Sequence, residues 1–183
     1  MALESRATWD HREMRPGQAV TGSVVFFFVT PGVVAGLLPW FIGRATEGAA
    51  SWPMRSLGLL VGLVGLVALV ACFADFVAAR GTPAPVAPTE RLVLEGLYRY
   101  VRNPMYVAVV TIILGQALWH ASWWVLAYGF LVWGATAAFA RFHEEPVLRG
   151  RFGSEYESYR RAVRGWIPRA LPWTASEDPG RPS

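Results

Sequence analysis

The sequence predicts an all-α integral membrane protein with about four transmembrane helices, followed by a cytoplasmic C-terminal amphipathic helix. Hydrophobic residues make up 54% of the chain and charged residues only 16%, a composition too apolar for an ordinary soluble fold. The apolar residues are gathered in runs close to the roughly 20 residues that a helix needs to span the hydrocarbon core. The arginines lie at the ends of these runs, as they do in membrane proteins.

Two long apolar runs, residues 20–42 and 57–79, predict the first two transmembrane helices. Pro31 and Pro39 interrupt the first run, and we expect each to kink or end the helix because proline lacks an N–H and its ring clashes with the preceding turn. In the second run the four-residue spacing of Gly58 and Gly62 would let another helix approach closely. The 19 residues before the first run are too polar for a cleaved signal peptide.

Two further apolar runs, residues 107–119 and 122–140, predict a helical hairpin. Only His120 and Ala121 separate them, so a tight turn is favoured over one long span. The first helix of the hairpin is short and the second is of full transmembrane length. Tryptophans around the turn are typical of a membrane interface, and we interpret His120 as a turn residue at that interface.

The distribution of arginine predicts the orientation in the membrane. With four spans and a cytoplasmic N-terminus, 15 of the 17 basic residues face the cytoplasm, and only Arg44 and Arg55 lie on the other side. The positive-inside rule favours this arrangement strongly. We therefore expect a multi-pass protein whose N- and C-termini and loop 80–104 are all cytoplasmic.

The regions outside the apolar runs differ in composition. Polar residues 1–19 precede a single predicted domain, residues 20–174, and residues 175–183 have the composition of a disordered tail. The proline-rich stretch 81–93 predicts an extended segment along the membrane surface. An amphipathic helix is predicted at 154–163, where Tyr156 and Tyr159 recur at helical spacing.

Several classes of function lack their sequence signals. The chain has no G-x-G-x-x-G, Walker A, HExxH, paired CxxC or G-x-S-x-G motif, which disfavours a Rossmann cofactor site, a nucleoside triphosphate site and a structural zinc or other metal site. The single cysteine, Cys72, excludes an intrachain disulfide. The positive net charge is not arranged as a basic face with base-reading or stacking side chains, so we expect no nucleic-acid partner.

Two polar clusters remain, YRYVRNPMY at 98–106 and RFHEE at 141–145, each at the predicted cytoplasmic end of a span. In the first, Pro104 fits the first position of a helix and Asn103 its N-cap, and the arginines and tyrosines could simply anchor helices at the interface. In the second, a carboxylate could hold polar groups of a ligand, such as ribose hydroxyls or an amine. Alternatively, Arg141 could pair with either glutamate on one helix face.

Asp75 is the only acid well inside an apolar run. Acids within membrane spans are candidates for function, because burying an unpaired carboxylate in hydrocarbon is costly. The alternative is a simple ion pair with Arg80 at the membrane boundary.

Together the two clusters resemble the paired signature of the isoprenylcysteine carboxyl methyltransferase family, which is similar in turn to the membrane phospholipid methyltransferases. The family pattern is Gly-x-Tyr-x-x-x-Arg-His-Pro-x-Tyr, a helical hairpin, then Glu-Glu-x-x-Leu, Phe-Gly-x-x-Tyr and a further tyrosine. The resemblance covers about half of the chain, residues 81–168. The matching residues are Gly96, Tyr98, Arg102, Asn103, Pro104, Tyr106, Glu144, Glu145, Leu148, Phe152, Gly153, Tyr156 and Tyr159.

The resemblance implies a membrane methyltransferase that uses S-adenosylmethionine in a cytoplasm-facing pocket and methylates a lipophilic or amphiphilic small molecule, such as a membrane lipid. The alternatives within this class are methylation of an isoprenylcysteine carboxylate and N-methylation of a phospholipid or another amine. The alternative of another class is a non-enzymatic membrane scaffold or transport accessory protein. Carried over by position, the cofactor-binding candidates are Leu92, Val93, Tyr98, Asn103, Pro104, Met105, Tyr106 and Glu144.

Two positions depart from the family pattern. Asn103 replaces the histidine of the motif, and an amide cannot titrate near neutral pH, so no general base is expected there. The family's substrate-binding arginine corresponds to Ala140, and the nearest candidate for positioning the acceptor is Arg141. One residue turns a helix by about 100°, which argues against an isoprenylcysteine carboxylate as the acceptor.

Overall fold

The computed structural model describes residues 31–78 and 94–174, and within these ranges every regular element is a helix. The predicted all-helical class is thereby confirmed for the described part of the chain. The predictions for residues 1–19, 81–93 and 175–183 fall outside these ranges. The five main helices are α1 (Gly32–Ala45), α2 (Trp52–Ala78), α3 (Pro104–His120), α4 (Trp123–Phe139) and α5 (Glu145–Ala162).

Short helical turns of other types flank the candidate site. A 3-10 turn, Gly96–Arg99, comes before α3, and a π-helical turn, Ala140–Glu144, joins α4 directly to α5. The first half of α1, Gly32–Leu37, is also π-helical. Because a π turn holds more residues than an α turn, it changes the direction in which the following side chains point.

Two helical stretches are long and apolar enough to cross a membrane, Trp52–Asp75 in α2 and Trp123–Ala162, which runs through α4 and α5. Only 22% of the most apolar window of each is buried inside the protein. The other apolar helices, α1 and α3, are shorter than a full span within the described residues. These lengths and compositions agree with membrane association, and the number of spans stays a prediction.

Helices α2 and α3 pack through glycine. A Cβ atom on Gly115 of α3 would lie 2.5 Å from the backbone nitrogen of Gly62 and 2.7 Å from the carbonyl oxygen of Gly58. Only residues without a side chain permit the two backbones to approach this closely. The expected close approach at Gly58 and Gly62 is confirmed, with Gly115 as the partner, but of the three only Gly58 and Gly115 need to lack a side chain, because a Cβ on Gly62 would point away from the contact.

Replacing Gly115 by alanine is expected to destabilise the protein, because the added methyl group must push α3 away from α2. Overpacking of this kind costs about 1–3 kcal/mol. Gly62→Ala is the matched control, since a Cβ there would meet no atom of the described residues within 4 Å. Thermal unfolding in detergent should show a lower midpoint for Gly115→Ala and an unchanged one for Gly62→Ala. Equal losses in the two variants would contradict the close contact.

The predicted helical hairpin is confirmed. α3 ends at His120, Ala121 has a left-handed backbone with φ 48°, and Ser122 caps α4 by accepting a hydrogen bond from Val125 N at 3.3 Å. His120 is a turn residue as predicted, and its side chain is buried, with only 1% exposed; its place at the membrane interface stays a prediction. The imidazole fills the space over Gly43 of α1, where a Cβ atom would clash with the ring.

Two helices extend further than predicted. α1 continues through Pro39, and its π-helical half ends at Leu37, two residues before this proline. The predicted helix at 154–163 follows a kink at Gly153 and ends at Ala162, and further helical residues precede the kink, from Glu145 onward. Gly153, with φ 52°, marks a kink inside this longer helix.

Candidate functional site

The motif segment, residues 98–106, is held in place by the tail segment, residues 164–174. Arg102 N donates to Arg164 O at 2.9 Å, and Asn103 N donates to Gly165 O at 3.2 Å. Two similar backbone bonds run from the amides of Arg169 and Trp173 to the carbonyls of Tyr100 and Arg99. Backbone pairing of this kind fixes the motif segment independently of its side chains.

Tyr106 and Glu144 join the two polar clusters. The Tyr106 hydroxyl donates a hydrogen bond of 2.6 Å to Glu144 Oε1 across 38 positions of sequence. Tyr106 lies in the first turn of α3, and Glu144 is the last residue of the π turn. The structure therefore brings these two predicted cofactor-binding residues into direct contact.

Glu145, the neighbour of Glu144, binds arginines instead. Its carboxylate accepts from Arg102 Nη1 at 3.1 Å and from Arg141 Nη1 at 3.2 Å, and Arg160 Nε lies 3.3 Å away. The side chains of Glu145 and Arg102 are only 14% and 15% exposed, so this ion pair is shielded from water. Glu145 thus ties α5 to the motif segment and leaves Glu144 for the site.

Arg141, the predicted acceptor-positioning residue, lies away from the Tyr106–Glu144 pair. Its side chain is 61% exposed and is engaged with Glu145 four residues later, which is the alternative ion pair considered from the sequence. Ala140, at the position of the family's arginine, is buried. A role for Arg141 in binding an acceptor stays a prediction.

Trp166 extends the aromatic surface of the site. Its ring stacks on Tyr106 with centroids 6.4 Å apart and planes inclined by 22°, while Trp133 of α4 meets it edge-on at 6.1 Å. These separations are typical of attractive aromatic pairs. Trp166 is not predicted as a site residue from the sequence, because it lies outside the helical pattern of α5. Its one sequence signal is that it is an aromatic residue directly after Gly165.

Tyr98, the first residue of the motif segment, lies in the 3-10 turn before α3. The Tyr159 hydroxyl donates to the Tyr98 carbonyl at 2.6 Å, which anchors the 3-10 turn on α5. Burial raises the pKa of the Tyr98 phenol well above its usual value, and charges at Cys72, Tyr159, Glu144 and Asp75 add to the rise. The phenol is therefore protonated at neutral pH and can donate a hydrogen bond.

The other predicted site residues have mixed placements. Pro104 opens α3 and Asn103 is its N-cap residue, as expected, but the Asn103 side chain makes no capping hydrogen bond. The Asn103 amide instead lies over Gly165, within 3.4 Å of where a Cβ would be. Met105 packs against the hydrophobic core. Leu92 and Val93 lie outside the described residues.

The side chains present fit S-adenosylmethionine chemically. The hydrogen bond from Tyr106 uses one oxygen of Glu144, and a carboxylate has further lone pairs that can accept from ribose hydroxyls. The rings of Tyr106 and Trp166 offer faces to which a purine or a cation can bind. Tyr98 and Asn103 add hydrogen-bonding groups on the same segment.

Comparison with known families and proteins gave one match. A family model described as phospholipid methyltransferase matches residues 54–155, more than half of the chain. The matched range extends from α2 to the middle of α5 and so contains Tyr98, Tyr106 and Glu144. A search among curated proteins found no match.

Proposed function

Since the chain belongs to the phospholipid methyltransferase family, we propose that it transfers a methyl group from S-adenosylmethionine to a lipophilic or amphiphilic acceptor. The observation that carries the proposal is the contact between Tyr106 and Glu144, which unites the two motifs at the edge of an apolar helical bundle. A scaffold that needed the clusters only as interface anchors would not require this contact.

The cofactor's sulfonium supplies the methyl group and carries a positive charge. Glu144 favours a cation through its carboxylate, and the stacked rings of Tyr106 and Trp166 favour one through their electron-rich faces. The same carboxylate can hold the ribose. In this proposal Tyr98, Asn103, Pro104 and Met105 complete the cofactor site beside them.

Among acceptors, an amine-bearing lipid fits better than an isoprenylcysteine carboxylate. In the family pattern the arginine that binds the substrate carboxylate corresponds to position 140, where this chain has a buried alanine. The neighbouring Arg141 is exposed and already paired with Glu145. We therefore propose a phospholipid or another amphiphilic amine as the acceptor, in agreement with the lipid substrates that the family's description implies.

The main contribution of the protein to methyl transfer would be alignment of the acceptor atom with the methyl group. Holding two reactants in line can lower a barrier by about 7–11 kcal/mol. Asn103 cannot take a proton from an ammonium, because a carboxamide does not titrate near neutral pH. An amine acceptor must therefore lose its proton to another group before it reacts.

The proposed topology places this site on the cytoplasmic side. The motif segment and α5 carry many of the arginines, which the positive-inside rule assigns to the cytoplasm. A water-soluble cofactor would then enter from the cytoplasm, and the acceptor from the bilayer.

The proposal is tested with the purified full-length protein and S-adenosylmethionine that carries a radiolabelled methyl group. Incubation with a lipid extract should move label into the lipid fraction, and mass spectrometry should find an amine lipid heavier by one methylene. Label in a prenylated peptide instead would support the isoprenylcysteine alternative. Absence of cofactor binding by a folded sample would contradict the proposal and favour the scaffold.

A further inference from the structure

Asp75 lies against the motif region although it belongs to α2. Its carboxylate packs on the backbone of Gly96, at the start of the 3-10 turn, so closely that a Cβ at this glycine would overlap it. Gly96 has φ 55°, a backbone conformation that favours glycine. The glycine of the motif therefore makes room for the acid, and the two positions are coupled in the structure.

The Asp75 carboxylate is shielded on one side and unsatisfied. Its Oδ2 atom is inaccessible to solvent and has no hydrogen-bond partner among the described residues. Leaving a carboxylate oxygen in this state is costly unless a cation or a donor binds to it. The ion pair with Arg80 considered from the sequence involves a residue outside the described ranges.

An open cleft of about 370 Å³ lies beside this carboxylate. It has room for a small polar group. Its lining carries one negatively charged and one positively charged side chain. The lining residues are Ala71, Asp75, Gly96, Leu97, Arg99 and Tyr100.

Arg99 supplies the positive charge of the cleft. Its Nε donates to the carbonyl of Trp173 at 2.9 Å, which fixes the side chain against the tail segment. A guanidinium has further donors on its terminal nitrogens, and these can bind an anionic oxygen in a planar fork. The cleft therefore presents a carboxylate and a guanidinium to one ligand.

We propose that this cleft binds a zwitterionic group, with an ammonium at Asp75 and a phosphate or carboxylate at Arg99. The inference rests on the proposed function, because two participants in the reaction carry such a group. One is the phosphoethanolamine headgroup of an acceptor lipid, and the other is the methionyl end of S-adenosylmethionine. In either case the Asp75 carboxylate binds the ammonium group.

The test compares purified full-length wild type with Asp75→Asn, which keeps the shape of the side chain and removes its charge. Calorimetry measures binding of two probes, S-adenosylmethionine and a soluble short-chain phosphatidylethanolamine. Short-chain phosphatidic acid, which has the phosphate without the ammonium, is the control ligand. Glu155→Gln, the same kind of change at an exposed position of α5, is the control variant, and thermal unfolding establishes that each variant is folded.

Loss of the Asp75 charge should lower the affinity for one of the two zwitterionic probes by about tenfold to a hundredfold. This is the usual effect of losing a hydrogen bond to a charged group. A weaker affinity for phosphatidylethanolamine alone identifies the lipid headgroup as the ligand, and a weaker affinity for the cofactor alone identifies its methionyl end. Phosphatidic acid should bind Asp75→Asn at least as tightly as wild type, because the variant lacks a carboxylate that repels the phosphate. Glu155→Gln should match wild type with every ligand.

Unchanged affinity for both zwitterionic probes in folded Asp75→Asn would overturn the inference, as would a wild type that binds neither probe. Arg99→Gln should weaken the same probe that Asp75→Asn weakens, and a different pattern would contradict a shared ligand. A different result would contradict the proposed function without contradicting the zwitterion site. A wild type that binds phosphatidylethanolamine through Asp75 but never binds the cofactor would contradict the methyltransferase and leave the zwitterion site intact.

Discussion

Glu144→Gln is expected to weaken the binding of S-adenosylmethionine by about 30-fold or more, and methyl transfer at low cofactor concentration should fall in parallel. In the proposed site, the substitution removes the negative charge assigned to the sulfonium and replaces one acceptor oxygen by an amide group. A hydrogen bond to a charged group contributes about 1.5–3 kcal/mol, so the loss of one or two gives an effect of this size. Equilibrium binding to the purified protein measures it.

Glu145→Gln is the matched control, since it makes the same chemical change one position later. Its carboxylate faces arginines, so the folded fraction should retain the cofactor affinity of the wild type. Tyr106→Phe should have an intermediate effect, because it removes only the hydroxyl that orients Glu144. If Glu144→Gln binds the cofactor as well as wild type does, the assignment of this carboxylate to the cofactor is wrong.

Glu145→Ala is expected to lower the free energy of unfolding by about 3 kcal/mol, the low end of the range for removing one partner of a buried ion pair. The cost arises because the Arg102 guanidinium, which is only 15% exposed, would lose its carboxylate. For a chain of this size the midpoint of thermal unfolding should fall by about 6–12 °C. Thermal unfolding in detergent, followed by circular dichroism, measures the change.

Arg141→Ala provides the contrast within the same ion-pair group. Arg141 is largely exposed, and exposed salt bridges contribute about 0–1 kcal/mol, so its removal should leave the unfolding temperature nearly unchanged. If Arg141→Ala lowered the unfolding temperature as much as Glu145→Ala, the solvent exposure of a residue in this ion-pair group would not determine its contribution to stability. The distinction between a buried and an exposed partner would then have to be abandoned.

The approach of the two polar clusters could be predicted from the sequence, because it depends on helix lengths and a turn that local sequence patterns reveal. The hairpin predicted from hydropathy turns the chain back, so the motif segment and Glu144 come to the same end of the bundle. The distance between the two clusters then follows from two helices of equal length, 17 residues each. For the same reason, a family resemblance based on motif order identified the correct class of membrane protein.

Other parts could not be predicted, because they depend on angles that sequence spacing does not determine. The π turn at Ala140–Glu144 changes the helical phase, and no composition signal distinguishes it from a continuing α-helix. That turn separates the directions of Glu144 and Arg141. Trp166 reaches the site through backbone pairing in the tail segment, a long-range contact without helical periodicity.

The backbone bonds between the tail segment and the motif segment also matter for protein engineering. A truncation before Arg164 would delete the carbonyls that accept from the Arg102 and Asn103 amides, together with the ring that covers Tyr106. Shortened versions made for expression should therefore retain the chain through Thr174. Purification tags and fluorescent reporters belong beyond that residue, where they add length without removing any of these bonds.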